Sequence, residues 1–461
     1  MSHIIRGALL SALAGILIAA LCANAAAQQH LTGTLQDGAT YVIDVPAVWN
    51  GTLLLYSHGY VAPGSPNAAV DVGDPITGAY MLAAGYALAG SSYASTGWAV
   101  QQAIPDQIAT LQVFQSRVGT PTTTIAWGHS LGGMITAGLV QQYPTQFQGA
   151  LPMCGVLAGG VGLWNEALDG AFIFNSLVAG NSLQVVDITN PTANFGAAEA
   201  FLAAAQATPQ GQARIALAAA MGDEPGWFDP LSPEPAQTDY ATREANQFQW
   251  FANVTFPFMF AFRAELEARA AGNPSWNTGV NYAAQLKKSI NNDEVQALYA
   301  AAGLDLTADL ATLKKAPRIA ADSGAENYLI QNIIYNGQLP IPVLTLHTTG
   351  DGLVPVEDEQ AYKKTAKEAG DPTSLKDLFI HRAGHCEFTP AETIVAFQSL
   401  VTRMQTGKWK GLSPTTLNNE AAALGPEFNV LAADGQVVPV SPAYEKYMSP
   451  AFLRPFDAFS H

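Results

Sequence analysis

Apolar residues fall in short runs bounded by turn residues, and the stretches between those runs carry apolar positions at helical spacing. Residues 51–57 (GTLLLYS), 86–90, 122–127 (TTTIAW), 149–154 (GALPMC), 341–347 and 375–380 read as buried strands. Residues 103–118, 134–143 and 357–369 read as helices between them. Residues 30–48 read as a hairpin closed by Asp37-Gly38, a dipeptide that supplies the backbone freedom of a tight turn. Strands alternating with helices predict an α/β fold, a mostly parallel sheet covered on both faces. Glu357, Asp358 and Glu359 open one helix, lysines fill its later turns, and Gly370 stops it. Thr389-Pro390-Ala391-Glu392 is a capping box with proline at the first helical position. Residues 381–388 are therefore a short loop held at both ends.

The strand rhythm disappears over residues 155–339. That stretch is rich in alanine and reads as helices, among them 197–207 and 293–302. It also holds Phe248, Trp250, Phe251, Phe256, Phe258, Phe260 and Phe262, either a core stripe or the roof of a site. The expected organisation is a leader (1–27), a first part of the core (28–154), a helical cap (155–339), a second part of the core (340–410) and an extended tail (411–461).

Charge narrows the chemistry. With 37 acidic against 21 basic residues, a net charge of −16, the chain lacks the cationic cluster that nucleic acid or an anionic membrane surface requires. Residues 1–27 read as an export signal: Arg6, an apolar run, then Ala25-Ala26-Ala27 as the cleavage site near Ala27. Leu21 before Cys22 argues against a lipid anchor. No later segment is long and apolar enough to span a bilayer, so the mature chain is expected to be secreted or periplasmic. Three cysteines are too few for a disulfide-built scaffold, and two remain after cleavage.

Gly128-His129-Ser130-Leu131-Gly132 lies between a predicted strand and a predicted helix, the context that makes G-x-S-x-G a nucleophile elbow. Gly128 and Gly132 must lack side chains there, and Ser130 is the candidate nucleophile. A serine needs a base, and the order Ser…Asp…His favours His385, in the anchored loop, over His381, His347, His129 or His58. Asp351, in GDGLVP after a strong apolar strand, is the candidate orienting carboxylate; Glu357 and Asp358 fit better as helix-start acids. The backbone N–H groups of Leu131 and Tyr60 are the candidate oxyanion donors. His381 and His385 have a plausible ligand spacing, but no acidic partner pattern accompanies them, so no metal site is expected.

HGY at 58–60, GHSLGG at 128–133, GDGLVP at 350–355 and GHC at 384–386 resemble the motifs of the α/β-hydrolase superfamily, in order. The resemblance covers roughly residues 40–155 and 340–407. It implies an eight-stranded, mostly parallel sheet and a Ser–His–Asp hydrolase without cofactor. His385-Cys386 also resembles the secreted tannase and feruloyl esterase group, in which that cysteine bridges to one beside the serine. Here His129 holds that position, so the bridge expected by this resemblance is Cys154–Cys386; the alternative is two free thiols. The expected activity is hydrolysis of small or polymeric carboxylic esters. An aminopeptidase of the same fold would need carboxylates to hold an amine, with Glu244, Glu265 and Glu267 as candidates. An inactive binding module is the third reading.

Overall fold

The computed structural model describes residues 29–461 apart from Asp434, so the leader lies outside the described residues. Nine strands form one sheet in the order β1-β2-β4-β3-β5-β6-β7-β8-β11. They are β1 (Gln29–Thr34), β2 (Thr40–Val45), β3 (Thr52–Ser57), β4 (Ala87–Ser91), β5 (Thr123–His129), β6 (Gly149–Met153), β7 (Val343–Gly350), β8 (Leu375–Ala383) and β11 (Tyr444–Glu445). The hairpin turns where Asp37-Gly38 predicts, with Thr34 paired to Thr40 and Gly38 at φ 97°. From β4 through β8 the pairing is parallel, whereas β2 joins β4 antiparallel.

Both faces are buried, and alternation along each strand explains how. On β3, Leu53 and Leu55 join the cluster beneath helices Val100–Arg117 and Leu131–Gln142, while Leu54 and Tyr56 join the one beneath Pro390–Thr406. The first face carries small residues, Ala87, Ala89, Ala126 and Ala150. They let Leu131–Gln142 approach closely: a Cβ on Gly133 would come within 2.7 Å of the Gly155 backbone. That helix begins at Leu131, three residues before the predicted 134, because Gly132 and Gly133 form its first turn.

Between β6 and β7 the chain is helical, with its own core around Leu217, Phe174, Phe251, Phe256 and Phe260. The aromatic run serves both roles considered for it. Phe251, Phe256 and Phe260 are buried in that core, while Phe258 and Met259 face the sheet's C-terminal edge. Two π-helical turns, Phe251–Thr255 and Phe258–Phe262, carry the run; such turns shift the helical phase and so aim neighbouring side chains differently.

Two expectations need correction. The sheet has nine strands, not eight, because the C-terminal segment adds β11 against β8, with Tyr444 opposite Ile380. That segment is not an extended tail. It forms helix Pro414–Ala423, capped by Ser413, and a hairpin of β9 (Val430–Ala433) and β10 (Gln436–Pro439). Leu417 and Ala421, four residues apart, bury one face of the helix against the core.

Candidate active site

Ser130 follows β5 directly, at φ 59° and ψ −126°, a conformation that L-residues adopt only under constraint. The constraint is packing on both sides. A Cβ on Gly128 would come within 2.6 Å of the Gly132 carbonyl, and one on Gly132 would overlap the Ser57 carbonyl. The elbow thus holds Ser130 above the sheet edge, at the N-terminus of Leu131–Gln142. Leu131, as the first helical residue, has an N–H with no intrahelical acceptor.

His385 Nε2 lies 2.8 Å from Ser130 Oγ, and its Nδ1 lies 2.7 Å from Asp351 Oδ2. Asp351 is buried, and its Oδ1 accepts the N–H groups of Leu353 (2.9 Å) and Val354 (3.0 Å). Burial pushes its carboxyl up, but His385 and His347 outweigh that, and the group is held below its ordinary range. The three side chains singled out in sequence are therefore brought together in one hydrogen-bonded chain.

The loop carrying His385 is fastened at several points. Thr348 Oγ1 donates to the Gly384 carbonyl at 2.6 Å, and Gly384 N–H donates to the Gly350 carbonyl at 3.0 Å. Arg382 grips Glu392 through two bonds of 2.7 and 3.0 Å and also donates to the Glu387 carbonyl. The capping box at Thr389 and Glu392 forms as read. Cys154 and Cys386 are disulfide-bonded, and both have positive φ.

The other histidines have separate duties. His129 points away from the serine, bonds Tyr56 Oη at 3.0 Å, and is kept neutral by burial and by His385, its pKa lowered to about 4. His58 Nδ1 donates to the Gly59 carbonyl at 2.7 Å and stacks on Tyr93, shaping the turn that presents Tyr60. His347 is a core residue, as read, but a charged one. Its Nδ1 lies 2.9 Å from Glu359, and its Nε2 lies 2.9 Å from the Val354 carbonyl and 3.5 Å from Asp351. Burial alone would lower its pKa; bonds to Asp351 and Glu359 raise it well above the ordinary value. Glu357 and Asp358 stand at the helix start, yet both are buried, and Asp358 Oδ1 accepts the Ala158 N–H at 2.7 Å.

A pocket opens beside Ser130, lined by both candidate oxyanion donors, Tyr60 and Leu131. Trp98, Trp164, Leu163, Phe258 and Met259 make its walls mostly apolar. Tyr60 packs its ring on Phe258 and Phe262, at 5.0 and 5.8 Å. Two acids that the sequence reading missed, Glu166 and Glu224, also line it. No motif marks them; the only available signal was charge inside otherwise apolar segments. The three cap acids that the reading did single out are engaged elsewhere. Glu265 pairs with Arg269, Glu267 with Arg263 at 3.1 Å, and Glu244 accepts from Gln206 at 3.1 Å. Among the described residues, no cluster of metal-ligating side chains occurs.

The order of β3 to β8, the elbow after β5 and the loop after β8 define the α/β-hydrolase fold. No protein-family model matches the chain. It is 29% identical over 441 residues to an o-phthalyl amidase of Xanthobacter agilis, an alignment spanning 88% of this chain and 94% of that protein. Feruloyl esterase B from Aspergillus oryzae superposes with a TM-score of 0.41 at 12% identity, covering 83% of this chain and 82% of its own. The rice cell wall degrading esterase LipA from Xanthomonas oryzae gives 0.37 at 14% identity, covering 82% and 89%. An acylaminoacyl peptidase of Pyrococcus horikoshii gives 0.36 at 9% identity; the match covers 77% of this chain but only 37% of that protein.

Proposed function

We propose that the protein is an exported serine hydrolase that cleaves carboxylic esters through a Ser130–His385–Asp351 triad and an acyl-enzyme. One observation carries this reading: the unbroken chain of 2.8 and 2.7 Å hydrogen bonds from Ser130 through His385 to Asp351, at the edge of an apolar pocket. His385 takes the Ser130 proton as Oγ attacks the carbonyl carbon. The oxyanion is received by the Leu131 and Tyr60 N–H groups, and each such donor contributes about 10²–10³ in turnover. His385 then hands the proton to the leaving oxygen. Water, deprotonated by the same ring, releases the acid and restores Ser130. The aromatic walls suit neutral apolar or aromatic acyl groups. The disulfide supports export to an oxidising compartment.

Amides are the second reading, favoured by the likeness to the o-phthalyl amidase. The same steps apply, with His385 protonating a leaving amine. A panel of p-nitrophenyl esters and matched p-nitroanilides tests both. Ester turnover that falls by about 10⁶ in Ser130→Ala is the expected result. Full turnover in Ser130→Ala overturns the proposal, and faster cleavage of anilides than esters moves the assignment to an amidase.

A further inference from the structure

The helical insertion sends two side chains, Glu265 and Arg269 of helix Arg263–Ala270, onto residues 95–98 in the first part of the core. Glu265 Oε2 accepts the Trp98 N–H at 3.0 Å. Arg269 donates to the Thr96 carbonyl at 2.7 Å, to Ser95 Oγ at 3.2 Å and to Gln102 Oε1 at 3.0 Å. Its Nε also bonds Glu265 Oε1 at 2.7 Å, so the two side chains brace each other. On an open helix face such an i,i+4 pair contributes little. Here both side chains are mostly buried and their remaining bonding groups are spent on the core. Gly97 makes the contact possible: its φ is 78°, and a Cβ there would overlap the Glu265 carboxyl.

The strap formed by residues 93–98 in turn fixes the turn that carries Tyr60. Tyr60 lies between His58 and Val61, and the carbonyls of both accept from the strap. Tyr93 Oη donates to His58 at 3.0 Å, and the Gly97 N–H donates to Val61 at 2.8 Å. The core anchors the start of the strap, where the Ala94 N–H meets Asp106 Oδ2 at 2.8 Å. Its other end, Thr96 and Trp98 on either side of Gly97, is anchored from the insertion. The ring of Tyr60 rests on Phe258 and Phe262, which lead into the same helix.

We propose that Glu265 and Arg269 are positioning residues, holding the Tyr60 N–H where it can donate to the oxyanion by acting through Gly97 and Val61. The insertion thereby completes the catalytic centre as well as covering it. A backbone donor is effective only about 2.7–3.1 Å from where the oxyanion forms, so a strap that drifts weakens it without removing it. The expected loss is therefore smaller than the about 10²–10³ of a deleted donor. Trp98 belongs to the same strap and lines the pocket, so a large acyl group would also feel its movement. A small acyl group isolates the effect on Tyr60.

The inference rests on the reading of Tyr60 as an oxyanion donor in a serine hydrolase, and the test separates the two. With p-nitrophenyl acetate, Arg269→Gln and Glu265→Gln, each with an unchanged melting profile, are expected to lower kcat about tenfold and to leave KM within about twofold. Arg269→Lys keeps the charge but cannot span Ser95, Thr96 and Gln102 at once, so its kcat is expected to stay close to that of Arg269→Gln. A kcat restored by lysine, or a change carried by KM instead of kcat, overturns the inference. Hydrogen exchange reads the tie itself and needs no catalysis. The Gly97 amide is expected to exchange at least about tenfold faster in Arg269→Lys, the mildest variant, than in the wild type. Exchange at the wild-type rate overturns the inference, even if the glutamine variants fail to fold. Failure of a fluorophosphonate to label Ser130 in the wild type overturns the hydrolase reading instead, and leaves the exchange comparison standing.

Discussion

Asp351 is fixed by four neighbours, and each bond has its own consequence. The Leu353 and Val354 N–H groups hold Oδ1, so Oδ2 is left for His385, with His347 behind it at 3.5 Å. Asp351→Asn keeps the shape but removes the charge that selects the His385 tautomer. It is expected to lower kcat by about 10⁴ with KM little changed, as steady-state ester assays would show. His347 acts one residue further back. His347→Gln leaves Asp351 and Glu359 buried without their shared cation, a loss expected to be about 3–5 kcal/mol by urea titration. Its sign with pH is fixed. The folded pKa of His347 lies well above the ordinary value, so its stabilisation is complete below about pH 6.5 and lost as pH rises through the folded value. The gap between wild type and variant should therefore be larger at about pH 6 than at about pH 9. A gap that widens in alkali would show that His347 is neutral.

At the scale of elements, the loop after β8 joins distant parts of the chain. Cys386 ties it to the end of β6 across 232 residues, and Arg382 ties it to the helix that follows. Cys386→Ser is expected to cost about 2–4 kcal/mol in denaturant titration. It should also lower kcat more than it raises KM, because His385 loses its restraint while the pocket walls stay. If kcat is unchanged, the remaining ties through Gly384 and Arg382 suffice. The sequence made the elements around this loop readable, because capping residues and buried-strand periodicity are local signals. The three side chains of the proposed triad were readable for a related reason: each sits on a motif whose glycines or turn residues are dictated by backbone geometry. Glu166 and Glu224 were not readable. They reach the pocket from separate parts of the helical insertion, and only the packing of those parts against GDGLVP brings them to Ser130. The ninth strand was missed because Tyr444–Glu445 is too short to show alternation; its place is set by Tyr444, buried, and by Ala443, whose N–H donates to Glu392.

For the whole molecule, the net charge of −16 becomes a statement about substrates. A low-charge chain with an acidic excess produces a negative field, and in dilute salt that field extends beyond the site itself. Approach of an anionic ester is opposed, that of a neutral ester is indifferent, and that of an ammonium ester is favoured. Salt separates this long-range effect from the local contacts of the pocket, because the Debye length shrinks from about 30 Å at 0.01 M to about 8 Å at 0.15 M. Across that range, kcat/KM for an anionic aryl ester should rise several-fold, while that for its neutral counterpart should stay within about twofold. For an aminoacyl ester it should fall towards the neutral level. A salt response equal for all three esters would mean that the acidic surface does not reach the pocket.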